Sequence, residues 1–133
     1  MSDTNTSVVS FAPTLIVDAN AVAAATLARQ LSLCGYSADV AITCVAAKGP
    51  ADARHYRSLV FAADLSLGTD LMCLASLRNK LPRIWIVVIS ASARWDARNA
   101  TLRHCADAVL TRPVSIEDLI FRLEAFSHRS RPP

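Results

Sequence analysis

Leu59-Val60-Phe61-Ala62-Ala63-Asp64 is the stretch that decides how this sequence reads. An unbroken apolar run ends on a carboxylate, and Leu65-Ser66-Leu67-Gly68 follows. Three other runs share the form. Leu15-Ile16-Val17 ends on Asp18, Trp85-Ile86-Val87-Val88-Ile89 ends on Ser90, and Ala108-Val109-Leu110 ends on Thr111-Arg112-Pro113. Short apolar runs without alternation are what a parallel sheet buried on both faces requires. Set side by side as parallel strands, they deliver two carboxylates, a hydroxyl and a guanidinium to one sheet edge.

Bulk composition narrows the classes. The 133 residues suit one domain with a real core. Apolar content of 53% against 19% charged excludes a disordered chain. The longest apolar runs are strand-length, well short of a membrane span, and Met1–Ser7 lacks the basic start of a secretion signal. A soluble cytoplasmic protein is expected. The net charge of +3 is dispersed and aromatics are only 6%, so no basic stripe for nucleic acid is expected. Cys34, Cys44, Cys73 and Cys105 form no C-x-x-C pair and have apolar neighbours, which predicts buried free thiols.

Along the chain, residues 1–12 read as a flexible lead, 13–127 as one domain and 128–133 as a basic tail. Strands are expected at Thr14–Asp18, Ala38–Val45 (alternating, hence an edge), Leu59–Ala63, Ile84–Ile89 and Ala108–Leu110. Helices are expected at Ala21–Leu33, with Val22, Ala25, Leu27, Ala28 and Leu31 as its apolar surface and Gly35 ending it. Weaker signals place helices at Pro50–Tyr56, after a cap at Thr69 or Asp70, and over Ala93–Cys105. The last helix is clearest. Ser115 caps it, with Asp118 in the capping-box position, and Ile116, Leu119, Ile120, Leu123 and Phe126 recur at helical spacing. Five strands alternating with five helices predict an α/β doubly wound parallel sheet, whose ligands bind at the carboxyl ends of the strands.

With these residues in order, the chain resembles a response-regulator receiver domain of two-component signalling, over roughly Pro13 to Phe126. That family begins with an apolar strand ending in an acidic pair, where this chain has Asp18-Ala19. Its acceptor aspartate follows strand three, as Asp64 does. It carries Ser or Thr and then Ala after strand four, as in Ser90-Ala91, and Lys-Pro after strand five, here Arg112-Pro113. The resemblance implies a flavodoxin-like order 2-1-3-4-5. It implies phosphate accepted on Asp64, with Ser90 and Arg112 on the phosphoryl oxygens. It further implies Mg²⁺ held by Asp18 and Asp64, and it leaves both cis and trans open for the peptide before Pro113. The partners implied are a histidine kinase or phosphotransfer protein, and a downstream protein or second copy meeting helix 4, strand 5 and helix 5. Such a module is not an enzyme.

The chain also departs from the pattern. Ala19 removes one acid, so Mg²⁺ binding should be weaker. Arg112 replaces a lysine point charge with a longer planar fork, which can bind phosphate or salt-bridge Asp64 permanently. The loop after Asp64 lacks the usual Pro and Asp-Gly, and Val109 stands where an aromatic residue usually switches rotamer. These departures favour a second reading, a pseudo-receiver that keeps the fold as a protein-interaction module without phosphorylation. Absence of a Gly-rich loop after strand one argues against a nucleotide or flavin carrier.

Overall fold

A computed structural model describes residues 13–47, 56–63, 68–90 and 100–127. Five parallel strands form one sheet in the order β2-β1-β3-β4-β5. They are β1 (Thr14–Asp18), β2 (Ala38–Ala41), β3 (Ser58–Ala63), β4 (Trp85–Ser90) and β5 (Ala108–Thr111). The helices are α1 (Ala21–Leu33), α2 (44–47), α3 (Gly68–Lys80), α4 (Ala100–Cys105) and α5 (Ile116–Ser127). Alternating residues of the central strands serve opposite faces. Leu15, Val17, Leu59, Phe61, Ile86 and Val88 pack with α2, α3 and α4 residues such as Ala47, Leu74, Leu77 and Leu102. Ile16, Val60, Val87 and Ile89 pack with Ala24 and Leu31 of α1 and Leu119, Leu123 and Phe126 of α5. Two-sided burial is why the runs at β1, β3 and β4 show no polar alternation.

The helix ends follow local chemistry. Asn20 Oδ1 accepts the Ala23 N–H at 3.0 Å, so Asn20 caps α1. Gly35, at φ +93°, closes α1 while Leu31 O accepts the Tyr36 N–H at 3.0 Å, a Schellman arrangement. Ser115 Oγ accepts the Asp118 N–H at 3.1 Å and caps α5, as expected. Trp85 stacks on Phe126 with ring centroids 4.7 Å apart, docking the end of α5 on β4.

Several expectations need correction. Strand β2 stops at Ala41, not Val45, because Thr43 Oγ1 accepts the Ala46 N–H at 2.9 Å and starts a helix instead. Val45 is left exposed. Helix α3 begins at Gly68, which puts Thr69 and Asp70 inside its first turn rather than at the cap. In α1 the buried face is Ala24 and Leu31 with Leu27 and Ala28 beside them, while Val22 and Ala25 are exposed. Residues 50–55 and 93–99 lie outside the described residues, and Tyr56 is not helical. Its hydroxyl instead donates to Asp39 Oδ2 at 2.7 Å.

The cysteine reading is also corrected. Cys44 and Cys73 form a disulfide with Cα atoms 5.9 Å apart, and Cys34 is exposed. Only Cys105 is the buried free thiol expected. Pairing across 29 positions leaves no local spacing signal for a sequence reading to find.

Arg78 is a hub that the sequence did not reveal. Its Nη2 donates to Leu81 O at 2.6 Å and Ile84 O at 2.8 Å, and its Nη1 to Cys105 O and Asp107 Oδ2, both at 3.3 Å. Asp107 Oδ2 also accepts the Ile86 N–H at 2.8 Å, while the Asp107 N–H donates to Ile86 O at 2.8 Å. The side chains of the pair are only 12% and 17% exposed. Arg78→Met strands the Asp107 carboxylate and the loop carbonyls. It should cost about 3 kcal/mol in urea denaturation, with Arg78→Lys recovering only part because an ammonium lacks the planar fork.

Burial pushes the Tyr36 phenol from 10.0 up to about 12, with Glu124 and Cys34 adding to the rise. The folded state therefore holds this proton where the unfolded chain has lost it. The contribution is fully present below pH 10.0 and is lost as pH rises toward about 12. Stability measured across that interval should fall by up to about 2 kcal/mol more in the wild type than in Tyr36→Phe.

Candidate functional site

The carboxyl edge of the sheet gathers three of the four expected side chains. Asp18 is the last residue of β1 and is 8% exposed. Its Oδ1 accepts the Asn20 N–H at 2.9 Å, which shapes the turn into α1. Asp18 is therefore not the cap of α1; it supports the residue that is. In register, Asp18 lies beside Ala62 of β3.

Ser90 is the last residue of β4 rather than the residue after it, and it is 1% exposed. It pairs with Ala63 on one side and Thr111 on the other. The Arg112 N–H donates to Ser90 O at 2.9 Å, extending the β4–β5 ladder one step past the strand. The Arg112–Pro113 peptide, open to either isomer from the sequence, is cis. Asp64 lies outside the described residues; its chain neighbour Ala63 ends β3 directly opposite Ser90.

Asp18 and Arg112 share an open groove of about 480 Å³ between α1 and the β5–α5 connection. Ala23, Leu27, Ala62, Ile89 and Val114 make the rest of its wall mostly apolar. The guanidinium is exposed, and no carboxylate among the described residues holds it in an ion pair. A planar cation at the rim of an apolar groove suits an oxyanion arriving from solvent.

Ala19 faces a different space. It lines a cavity of about 200 Å³ with Val17, Cys44, Ala62, Thr69, Asp70 and Cys73. A methyl group occupies the position where the resemblance implies a second acid. Among the described residues no three acidic, His or Cys side chains gather as a metal cluster. The oxygen donors of Asp18 suit a hard cation such as Mg²⁺, but one of them already serves Asn20. Of the acidic pair that the resemblance implies, this chain has Asp18 alone at the end of β1.

Sequence reasoning missed Asn20, although an Asn directly before an Ala- and Leu-rich helix is a cap signal. It also missed the apolar groove, whose walls come from three distant segments. Val109 is half-buried against the core, where an aromatic residue was noted as missing. None of the described helices is long and apolar enough to cross a membrane.

No protein-family model matches the chain, and no curated protein matches it in sequence. Solved structures do match. A CheY-like receiver domain protein from Methanospirillum hungatei aligns at 20% identity with a TM-score of 0.76, covering 89% of this chain and 95% of that one. A CheY-like receiver domain from Methylobacillus flagellatus aligns at 23% identity and 0.75, covering 88% and 99%. A response regulator protein from Thermotoga maritima, solved in complex with Mg²⁺-BeF, aligns at 17% identity and 0.76, covering 87% and 99%. The chain therefore has the fold of response-regulator receiver domains, with Asp18, Ser90 and Arg112 at the carboxyl edge of its sheet.

Proposed function

We propose that this chain is a receiver-like signalling domain of a two-component phosphorelay that accepts phosphate on Asp64. The observation that carries the reading is the convergence of Asp18, Ser90 and Arg112 on the end of β3, immediately before Asp64. In this reading the Asp64 carboxylate attacks the phosphorus of a phosphohistidine on a kinase or phosphotransfer protein. The P–N bond breaks and the phosphoryl group leaves its donor. A carboxylate needs no general base for this, only position and charge compensation.

The Ser90 hydroxyl and the Arg112 guanidinium would hold the phosphoryl oxygens. Asp18 and Asp64 would hold Mg²⁺, which supplies neutralisation of the charge on the transferring group. Support for the ion comes from the Mg²⁺-BeF complex on the same fold and from the oxygen donors of Asp18. Ser90 lies on β4 next to β5, so phosphate bound there pulls on the strand leading to α5. The α4, β5 and α5 face is the surface that would change for a downstream protein or a second copy.

Incubation with a small phosphodonor or beryllofluoride should give an Mg²⁺-dependent mass or spectroscopic change in the wild type and none in Asp64→Asn. A well-folded protein that stays unchanged at millimolar Mg²⁺ would rule out the acceptor role. It would favour the pseudo-receiver reading, which the Ala19 methyl in place of an acid already supports. Restoring the carboxylate with Ala19→Asp should tighten Mg²⁺ on the order of tenfold in calorimetric titration. Asp18→Asn keeps an oxygen for the Asn20 N–H, so it should lose Mg²⁺ affinity while shifting stability by less than about 1 kcal/mol.

A further inference from the structure

The Cys44–Cys73 crosslink has a placement that neither the fold nor the phosphate reading explains. Cys44 opens α2 just past edge strand β2, and Cys73 sits in the second turn of α3. The 29-position loop they close contains β3, Asp64 and the connection into α3. Both cysteines line the 200 Å³ cavity that also holds Ala19, Ala62, Thr69 and Asp70. The crosslink is thus part of the wall of the space that Ala19 faces.

We propose that Cys44 and Cys73 are a reversible dithiol–disulfide couple that sets how firmly the start of α3 is held to the turn after β2. Cys44 is half-buried and Cys73 is 8% exposed, so exchange begins at Cys44. A low-molecular-weight disulfide such as glutathione disulfide is the oxidant. The Cys44 thiolate attacks one of its sulfurs, forming a mixed disulfide and releasing one glutathione thiolate. The Cys73 thiolate then attacks the Cys44 sulfur and expels the second. Two thiols lose two electrons and two protons, and one glutathione disulfide becomes two glutathiones.

The other cysteines do not compete. Cys105 is buried at the end of α4, and burial pushes its thiol up, away from the reactive thiolate. Cys34 follows the C-terminal end of α1, at the opposite edge of the sheet. In the oxidised state the start of α3 is tied to the turn after β2. In the reduced state only packing holds α3 there.

The couple stands without the phospho-acceptor reading; only its effect on beryllofluoride affinity rests on that reading. The test uses the full chain in a Cys34→Ser background, reduced with dithiothreitol or oxidised with glutathione disulfide. Oxidation should remove two hydrogens by mass and protect Cys44 and Cys73 from alkylation, reversibly and without unfolding. Amide exchange over residues 58–63 and 68–72 should slow about tenfold in the oxidised form. The melting temperature should rise by about 10 °C. Mg²⁺-beryllofluoride should bind about tenfold tighter to the oxidised form.

The double variant Cys44→Ser/Cys73→Ser should match the reduced protein in either medium. Thiols that stay alkylatable in glutathione disulfide, or a bond that native protein keeps in dithiothreitol, would overturn the couple. Identical amide exchange in the two states would overturn it as well. Altered exchange with no beryllofluoride binding in either state would leave the couple standing and remove the phospho-acceptor reading instead.

Discussion

Parallel register is the constraint on which everything at the site depends. Side chains alternate across the sheet, so a one-residue slip of β5 against β4 would send Val109 and Leu110 to the wrong faces and carry Arg112 away from Ser90. The register is pinned far from the site. At the opposite edge Asp107 exchanges two hydrogen bonds with Ile86, one through its backbone and one through its carboxylate. Arg78 holds that carboxylate in place and also gathers the carbonyls of Leu81, Ile84 and Cys105. From that lock the ladder runs Val87–Ala108, Val88–Val109, Ile89–Leu110 and Ser90–Thr111. The position of Arg112 is thus set by an ion pair roughly 15 Å away along the strands.

The near side of the site has its own coupling. Asp18 does two jobs with one carboxylate, receiving the Asn20 N–H and facing the groove that Arg112 shares. Asn20 in turn caps α1, whose Leu27 lines the same groove. The carboxylate available to a cation is therefore held at a fixed angle by the start of a helix. Such support limits how far the group can swing toward a ligand, and it explains why a carbonyl oxygen at position 18 preserves the turn while a methyl would not.

Much of this was legible in the sequence for definite reasons. The apolar runs at β1, β3 and β4 announced buried parallel strands because two-sided burial leaves no room for polar alternation. The periodicity of Leu119, Leu123 and Phe126 fixed α5, and Ser115 marked its start. Where several signals competed, the reading failed. Alternation at Ala38–Val45 looked like a strand throughout, yet one threonine hydroxyl at Thr43 turned the chain into a helix. Val22 looked like core, yet the Asn20 cap set the helical phase that exposes it. Arg78 and the Cys44–Cys73 pair were invisible because each joins segments distant in sequence.

Charge at the site shifts what phosphate transfer demands. A pair of acids, an acceptor aspartate and one cation carry a net charge of about −2 before any metal arrives, which repels an incoming phosphoryl group. Asp18, Asp64 and Arg112 together carry about −1, because Ala19 contributes none. For the proposed transfer, an alanine in place of the acid would weaken a metal site here and would also reduce the repulsion that the metal would offset. The guanidinium acts in the same direction. A guanidinium is more weakly hydrated than an ammonium and can bind two phosphoryl oxygens at once. For the proposed transfer, Ala19 and Arg112 are thus coupled changes: one lowers the demand for Mg²⁺, and the other supplies part of the compensation that Mg²⁺ would have given.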